Sequence, residues 1–224
     1  MSKVLAIRPE PGLSSTLESG RALGLDIIGK PLFEIVPVAW DCPDPATVDG
    51  LLIGSANAIL HGGEQLHHLM GKPVHAVGRT TAETARAAGF QIAAIGQGGL
   101  QNVLDTVEPP ARLLRLAGAE HVSLTQPSEV GIQTEIVYKS NTLSLKSDVI
   151  SAIGGDPIIL LHSAAAARHF ASECDRLGLK RERLTLALLG PRIAEAAGHG
   201  WKGVCVSPHP NDNALLEMIR DMCV

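Results

Sequence analysis

The sequence predicts an α/β fold of two parallel-sheet lobes, built by internal duplication and joined by extended connectors. Three observations lead there. Short apolar runs alternate with Gly or Ser turns and amphipathic stretches, the pattern of β-α-β layers. Ten such runs can be picked out, more than one compact sheet of a 224-residue chain normally holds. Three segments of the first half recur in order in the second.

Taken along the chain, Val4 to Ile7 is the first apolar run, and a helix over Leu13 to Leu23 leads to a short strand at Ile27 to Ile28. Gly50 to Ile53 is a strand feeding a helix over Ala56 to Leu69. Val74 to Val77 precedes the helix Thr81 to Ala88, and Gln91 to Ile95 precedes Leu100 to Val107. Arg112 to Leu116 and Thr134 to Val137 are strands without an intervening helical pattern. Pro157 to Leu161 pairs with a helix over Ala164 to Leu177, Thr185 to Leu189 with Ile193 to His199, and Gly203 to Val206 with Asn213 to Met222.

The duplication explains the excess of strands. Leu52-Ile53-Gly54-Ser55-Ala56-Asn57-Ala58 matches Leu160-Leu161-His162-Ser163-Ala164-Ala165-Ala166, and Ala76-Val77-Gly78-Arg79-Thr80-Thr81-Ala82-Glu83 matches Leu188-Leu189-Gly190-Pro191-Arg192-Ile193-Ala194-Glu195. Val4 to Pro9 matches Leu113 to Gly118 more weakly. Pro31 to Val38 and Glu135 to Ser140 read as extended connectors at corresponding places, which predicts a crossed arrangement. Lobe 1 is expected to be discontinuous (1–34 plus 144–224), lobe 2 to span 39–135, and 35–38 and 136–143 to be connector strands that permit hinge motion.

Composition narrows the function. With 45% hydrophobic and 19% charged residues the chain can bury a core, and 23 Gly with 14 Pro imply many turns. A net charge of −4 and only three Phe, two Trp and one Tyr argue against nucleic acid as a partner, because neither a basic field nor stacking platforms are available. No apolar run is long enough for a signal-peptide core or a membrane span, so a cytoplasmic protein with no membrane partner is expected. Cys42, Cys174, Cys205 and Cys223 are scattered and read as reduced, structural thiols.

Ligands of open parallel sheets bind beyond the carboxyl ends of the strands. There Ser55 and Ser163 open helices, Thr80-Thr81-Ala82-Glu83 has the form of a capping box, and Pro191 suits a first helical turn. Each alone reads equally well as plain helix capping. Together, several helix N-termini facing one cleft suit carboxylates or phosphates, even in an acidic protein. Arg8 and Arg79, immediately after apolar strands, are the foremost basic candidates, followed by Lys139 and Arg192, with Arg115 and Arg168 nearby.

Other motifs carry less. Gly96-Gln97-Gly98-Gly99 lacks the Lys-Ser/Thr of a phosphate loop and the spacing of a dinucleotide loop. Glu64, His67 and His68 share a helical face but have no third metal ligand at usable spacing, so no metal is expected. Ser163 adjoins His162, yet neighbours on a strand point to opposite faces, which disfavours a nucleophile and base pair. Tyr138, the one phenol in the chain, sits in a connector expected to border the cleft, either as a packing residue or as a donor to a leaving hydroxyl.

The order Ile7-Arg8-Pro9-Glu10, 52–58, 76–83, Ala117-Gly118-Ala119-Glu120, Val137-Tyr138, 160–164, 189–196 and Asn213-Ala214-Leu215-Leu216 resembles that of the uroporphyrinogen-III synthases over the whole chain. The resemblance implies two α/β lobes of flavodoxin-like topology joined by a two-stranded connector. It implies cyclisation of hydroxymethylbilane, a linear tetrapyrrole, to uroporphyrinogen III with loss of water and inversion of ring D. It implies no cofactor, a monomer, and transient hand-over of substrate from hydroxymethylbilane synthase. The implied substrate-binding residues are Arg8, Pro9, Ser55, Ala56, Gly78, Arg79, Thr80, Thr81, Ala82, Gly118, Ser163, Ala164, Gly190, Pro191, Arg192 and Ala194, with Tyr138 assisting water loss. The chain departs from the family pattern at Gly54 and His162, where Thr is usual before the serines, at Ile193, where Thr is usual, and at Ala117, commonly Arg. A non-catalytic bilobal sensor of a small anionic ligand is the alternative, and a phosphate-handling α/β enzyme a weaker third.

Overall fold

The computed structural model describes residues 3–222, so Cys223 lies outside the described residues. The chain divides into two compact units, Met1–Glu34 with Thr142–Val224, and Ile35–Asn141.

The first unit contains β1 (Val4–Ala6), α1 (Gly12–Ala22), β2 (Ile27–Gly29), α5 (Ser147–Ile153), β9 (Ile158–Leu161), α6 (Ala164–Arg176), β10 (Thr185–Leu188), α7 (Pro191–Ala197), β11 (Gly203–Val206) and α8 (Asp212–Met222). Its sheet has the order β11-β10-β9-β1-β2, every pair parallel, which is the flavodoxin-like sequence of strands. A parallel sheet is covered on both faces, so its strands are continuously apolar. Leu5, Ile7, Ile159 and Leu161 pack with Phe170 and Cys174 of α6. Val4, Ala6 and Leu160 face the other way, against Leu13 of α1 and Leu215, Leu216 and Ile219 of α8. Phe170 is fully buried and stacks on Trp201 at 5.8 Å, over which the Arg181 guanidinium sits at 4.8 Å.

The second unit contains β4 (Gly50–Ile53), α2 (Asn57–His61), β5 (Val74–Val77), α3 (Arg79–Ala87), β6 (Ile92–Gly96), α4 (Leu100–Leu104), β7 (Ala111–Gly118) and most of β8 (Val130–Thr142), with β3 (Phe33–Pro37) entering it. The sheet order is β3-β8-β7-β4-β5-β6. Leu51, Ile53, Leu114 and Leu116 fill one face, and Leu52 and Leu113 meet Leu100, Val103 and Leu104 on the other.

Set side by side, β11-β10-β9-β1-β2 corresponds to β6-β5-β4-β7-β8. The three sequence matches all agree with this, since they relate β4 to β9, β5 to β10 and β7 to β1. The sequence repeats and the compact units therefore differ. Each unit takes its central strand pair from both halves of the chain, because the chain leaves unit 1 after Glu34 and returns to it at Thr142.

Several elements differ from expectation. The helix read over Ala56 to Leu69 ends at His61, because Gly63 adopts φ +67, and a 3-10 turn over Glu64–Leu69 replaces its second half. Glu64, His67 and His68 thus do not share an α-helical face. By contrast, the segments read as extended connectors are paired strands: β8 runs for 13 residues, its Val130–Tyr138 part beside β7, and β3 lies along its other edge. Among the described residues there are eleven strands rather than ten. Helix α5 was not legible in the pattern. It follows Leu145, whose N–H donates to the buried Glu173 at 2.7 Å. That carboxylate also receives both arms of Arg176, at 2.7 and 2.8 Å, which hold its pKa down at about 2.

Candidate functional site

In each unit the sequence-predicted residues gather around the carboxyl ends of the parallel strands.

In unit 2 the ends of β4 and β7 and the side of β8 enclose a pocket of about 230 Å³, lined among others by Gly54, Ser55, Arg115, Ala117, Gly118, His121 and Tyr138. A register shift between Ala117 and Gly118 sets Gly118 opposite Tyr138. The phenol ring lies directly against Gly118, where a Cβ would meet Cε2 at 2.6 Å and the hydroxyl at 3.0 Å. The Ala119 N–H donates to the Tyr138 carbonyl at 2.9 Å, and His121 Nδ1 donates to the Gly118 carbonyl at 2.9 Å, so the turn after β7 is tied to β8. Two larger hollows, of about 430 and 440 Å³, open at the opposite ends of the strands. Both border Asp49, whose carboxylate is already engaged by Arg112 at 2.7 Å.

Helix α3 begins at Arg79 rather than Thr81. Gly78, at φ +77, lets the chain turn sharply into the helix, and no side chain caps it. The expected capping box is therefore absent. Thr80 is the second helical residue, and its carbonyl accepts from the Thr84 hydroxyl. Arg79 and Thr80 are exposed, whereas Thr81, Ala82 and Ala56 are buried and can offer a ligand only backbone. Ser55 accepts from the Asn57 N–H at 3.3 Å, but α2 is a helix of five residues.

In unit 1, Ser163 caps α6, its hydroxyl accepting from Ala166 N–H at 3.1 Å. Ser163→Ala is expected to cost about 1 kcal/mol, the usual worth of such a cap, seen as a lower denaturation midpoint with an unchanged slope. Gly190 precedes α7, with Pro191 in its first turn; Pro191 and Arg192 are exposed, and Ala194 is half-buried. Ile193, one of the departures from the family pattern, is buried among core side chains of this unit. Ala164 is half-buried at the start of α6, and Pro9 half-buried just after β1.

Arg8 does not stand free. Its guanidinium donates to Asp212 Oδ2 at 2.9 Å and to the Thr16 hydroxyl at 3.2 Å, while Thr16 donates to the same carboxylate oxygen at 2.7 Å. His162 Nε2 lies 3.0 Å from Asp212 Oδ1, close enough for charge attraction but not aligned as a hydrogen bond. Burial would raise the Asp212 pKa, but His162, Thr16 and Arg8 outweigh it and hold the carboxyl at about 2. The sequence points to Arg8 as a ligand contact and gives no sign of Asp212 as its partner. No local signal links residues about 200 positions apart; the one hint is an acidic residue at the start of the last helix, where the dipole favours it.

A family model described as Uroporphyrinogen-III synthase HemD matches residues 14–217. Among solved structures, the chain is similar to uroporphyrinogen-III synthetase from Helicobacter pylori 26695, with a TM-score of 0.68 and 18% identity, covering 99% of this chain and 100% of that one. It also matches uroporphyrinogen III synthase from the extremely thermophilic bacterium Thermus thermophilus, with a TM-score of 0.44 and 16% identity, over 100% of this chain and 98% of that one. No curated protein matches the sequence. Among the described residues, no helix is long and apolar enough to cross a membrane.

Proposed function

The chain belongs to the uroporphyrinogen-III synthase family, and from that membership we propose how its own residues serve the reaction. The activity is cyclisation of hydroxymethylbilane to uroporphyrinogen III in tetrapyrrole biosynthesis. The observation that carries this is the family match over 14–217, nearly the whole chain.

The reaction expels the ring A hydroxyl as water to leave an azafulvene. Ring D attacks it through its substituted carbon, and the resulting spiro intermediate fragments and recloses with ring D inverted. Holding a flexible tetrapyrrole in the folded pose is the main demand, so positioning supplies much of the rate. In this reading each unit offers its own contacts for substrate carboxylates: the exposed Arg79 and the first backbone N–H groups of α3 in unit 2, and the exposed Arg192 and the first N–H groups of α6 in unit 1. Support for α3 is that its first N–H bonded back to the cap is that of Ala82, which leaves the preceding N–H groups for a ligand. Tyr138 donates a hydrogen bond to the departing hydroxyl; its support is the placement of its ring against the last residue of β7, in a pocket that Ser55 also lines. Arg8 acts behind these groups, fixing the turn after β1 through Asp212.

A monomer that receives hydroxymethylbilane from its synthase in the cytoplasm is the setting this reading assumes. Purified protein supplied with freshly generated hydroxymethylbilane is expected to give the type III isomer in large excess over the spontaneous type I product. A product mixture identical to that without protein sinks the reading.

A further inference from the structure

The middle of β7 carries a charge that the fold leaves unmatched. Arg115 lies within Leu113-Leu114-Arg115-Leu116-Ala117, paired in register with Leu52 on one side and Thr134 on the other, and is only 5% exposed. Its Nε is shielded from solvent with no acceptor, and no carboxylate lies within ion-pair distance of the guanidinium among the described residues. The other two arginines with largely covered side chains are matched: Arg8 by Asp212, and Arg181 by Asp175 at 2.6 Å. Burying a cation without a partner is costly, so a site that keeps one is set up for an anion to complete it.

Arg115 lines the 230 Å³ pocket of unit 2, and no acidic residue does. The pocket's other polar side chains are Ser55, His121 and Tyr138. At about 30 Å³ per water, the space holds on the order of seven or eight waters, enough for a carboxylate on a short alkyl arm but not for a tetrapyrrole ring system. Burial pushes the Arg115 pKa down from the ordinary arginine range, with only the neighbouring Tyr138 opposing it. A guanidinium in such surroundings still carries its proton and offers a planar fork to a carboxylate.

We propose that Arg115 is a substrate-binding residue, a buried anchor for one carboxylate arm of the tetrapyrrole, taken into the unit 2 pocket beside Tyr138. The inference rests on the synthase reading for the identity of the arm. Fixing one arm next to the phenol sets the distance between that phenol and the ring bearing the arm, so the anchor serves positioning as well as affinity.

The test compares wild type with Arg115→Met and Arg115→Lys in the full chain, by steady-state kinetics, thermal melting and binding of uroporphyrin, a stable octacarboxylate. Arg115→Met removes the unmatched charge while keeping volume, so its melting temperature is expected to hold or rise, while KM and the uroporphyrin Kd increase about 10- to 100-fold. Arg115→Lys, which keeps the charge but loses the fork, is expected to fall between. Unchanged KM and Kd in Arg115→Met overturn the proposal, as does a lowered melting temperature with those constants unchanged. If Arg115→Met does not fold, Arg115→Lys decides: wild-type Kd and KM in that variant overturn it. If wild type forms no type III isomer, the synthase reading fails, and uroporphyrin binding judges the anchor separately: equal binding by wild type and variant, or none by either, overturns it.

Discussion

Asp212→Asn is expected to lower stability by about 2 kcal/mol at neutral pH, a difference that shrinks below about pH 4 and vanishes below about pH 2. The carboxyl titrates near 2 in the folded protein against an ordinary value of 3.8. A pKa depressed by folding adds stability above the unfolded value, and that stability is lost as pH falls through the folded value. Glu173 is also held near 2, but it is present in both proteins and cancels in the comparison. Asparagine keeps the shape and can still accept from Thr16 and Arg8, so the change isolates the charge. Denaturant titrations of both proteins from pH 7 to pH 2 give the curve directly. A gap that stays constant over the window would mean that packing, rather than the carboxylate's attraction for Arg8 and His162, is what Asp212 contributes.

Gly118→Ala is expected to reduce kcat about tenfold or more, with a smaller rise in KM because the same pocket takes a substrate arm, and to leave the melting temperature nearly unchanged. The added methyl would stand 2.6 Å from Cε2 and 2.7 Å from Cζ of Tyr138, closer than real side chains approach, so the ring must swing away. Nothing else within 4 Å of that position is nearer than the phenol, so the displacement falls on the one group proposed to meet the leaving hydroxyl. A shift on the order of 1 Å in a positioned group can cost as much as about a hundredfold in rate. Tyr138→Phe is the companion measurement, since it deletes the hydroxyl without moving the ring. Full single-turnover rates in both variants would return Tyr138 to a packing role.

Much of the fold could be read because parallel strands buried on both faces are spelled as uninterrupted apolar runs. Gly50–Ile53 is buried throughout and has the expected bounds, and Ile158–Leu161, also buried throughout, is one residue shorter than its apolar run. Legibility failed where a single backbone torsion decides the outcome. Gly63 stops a helix whose apolar spacing continues through Leu66 and Leu69, and Gly78 starts one ahead of the threonines that look like its cap. The strand ends that hold the candidate site were legible through the duplication, whereas their wiring was not. The bond from Arg8 to Asp212 closes only in three dimensions. Arg115 did carry a signal: a lone cation in the middle of an apolar strand either has a partner or awaits one.

The two crossings of the chain between units also govern the order in which the protein can be completed during synthesis. β1 lies in the interior of its sheet, between β2 and β9, yet β9 begins roughly 150 residues after β1 ends. At about 5–20 residues per second, the β1-α1-β2 segment waits on the order of ten seconds with one edge of an apolar strand unpaired. Unit 2 is contiguous and has every strand of its own before β9 emerges. The nascent chain therefore finishes its second unit first, and the ribosome-bound intermediate most in need of protection from aggregation is the one that still lacks residues 158–206.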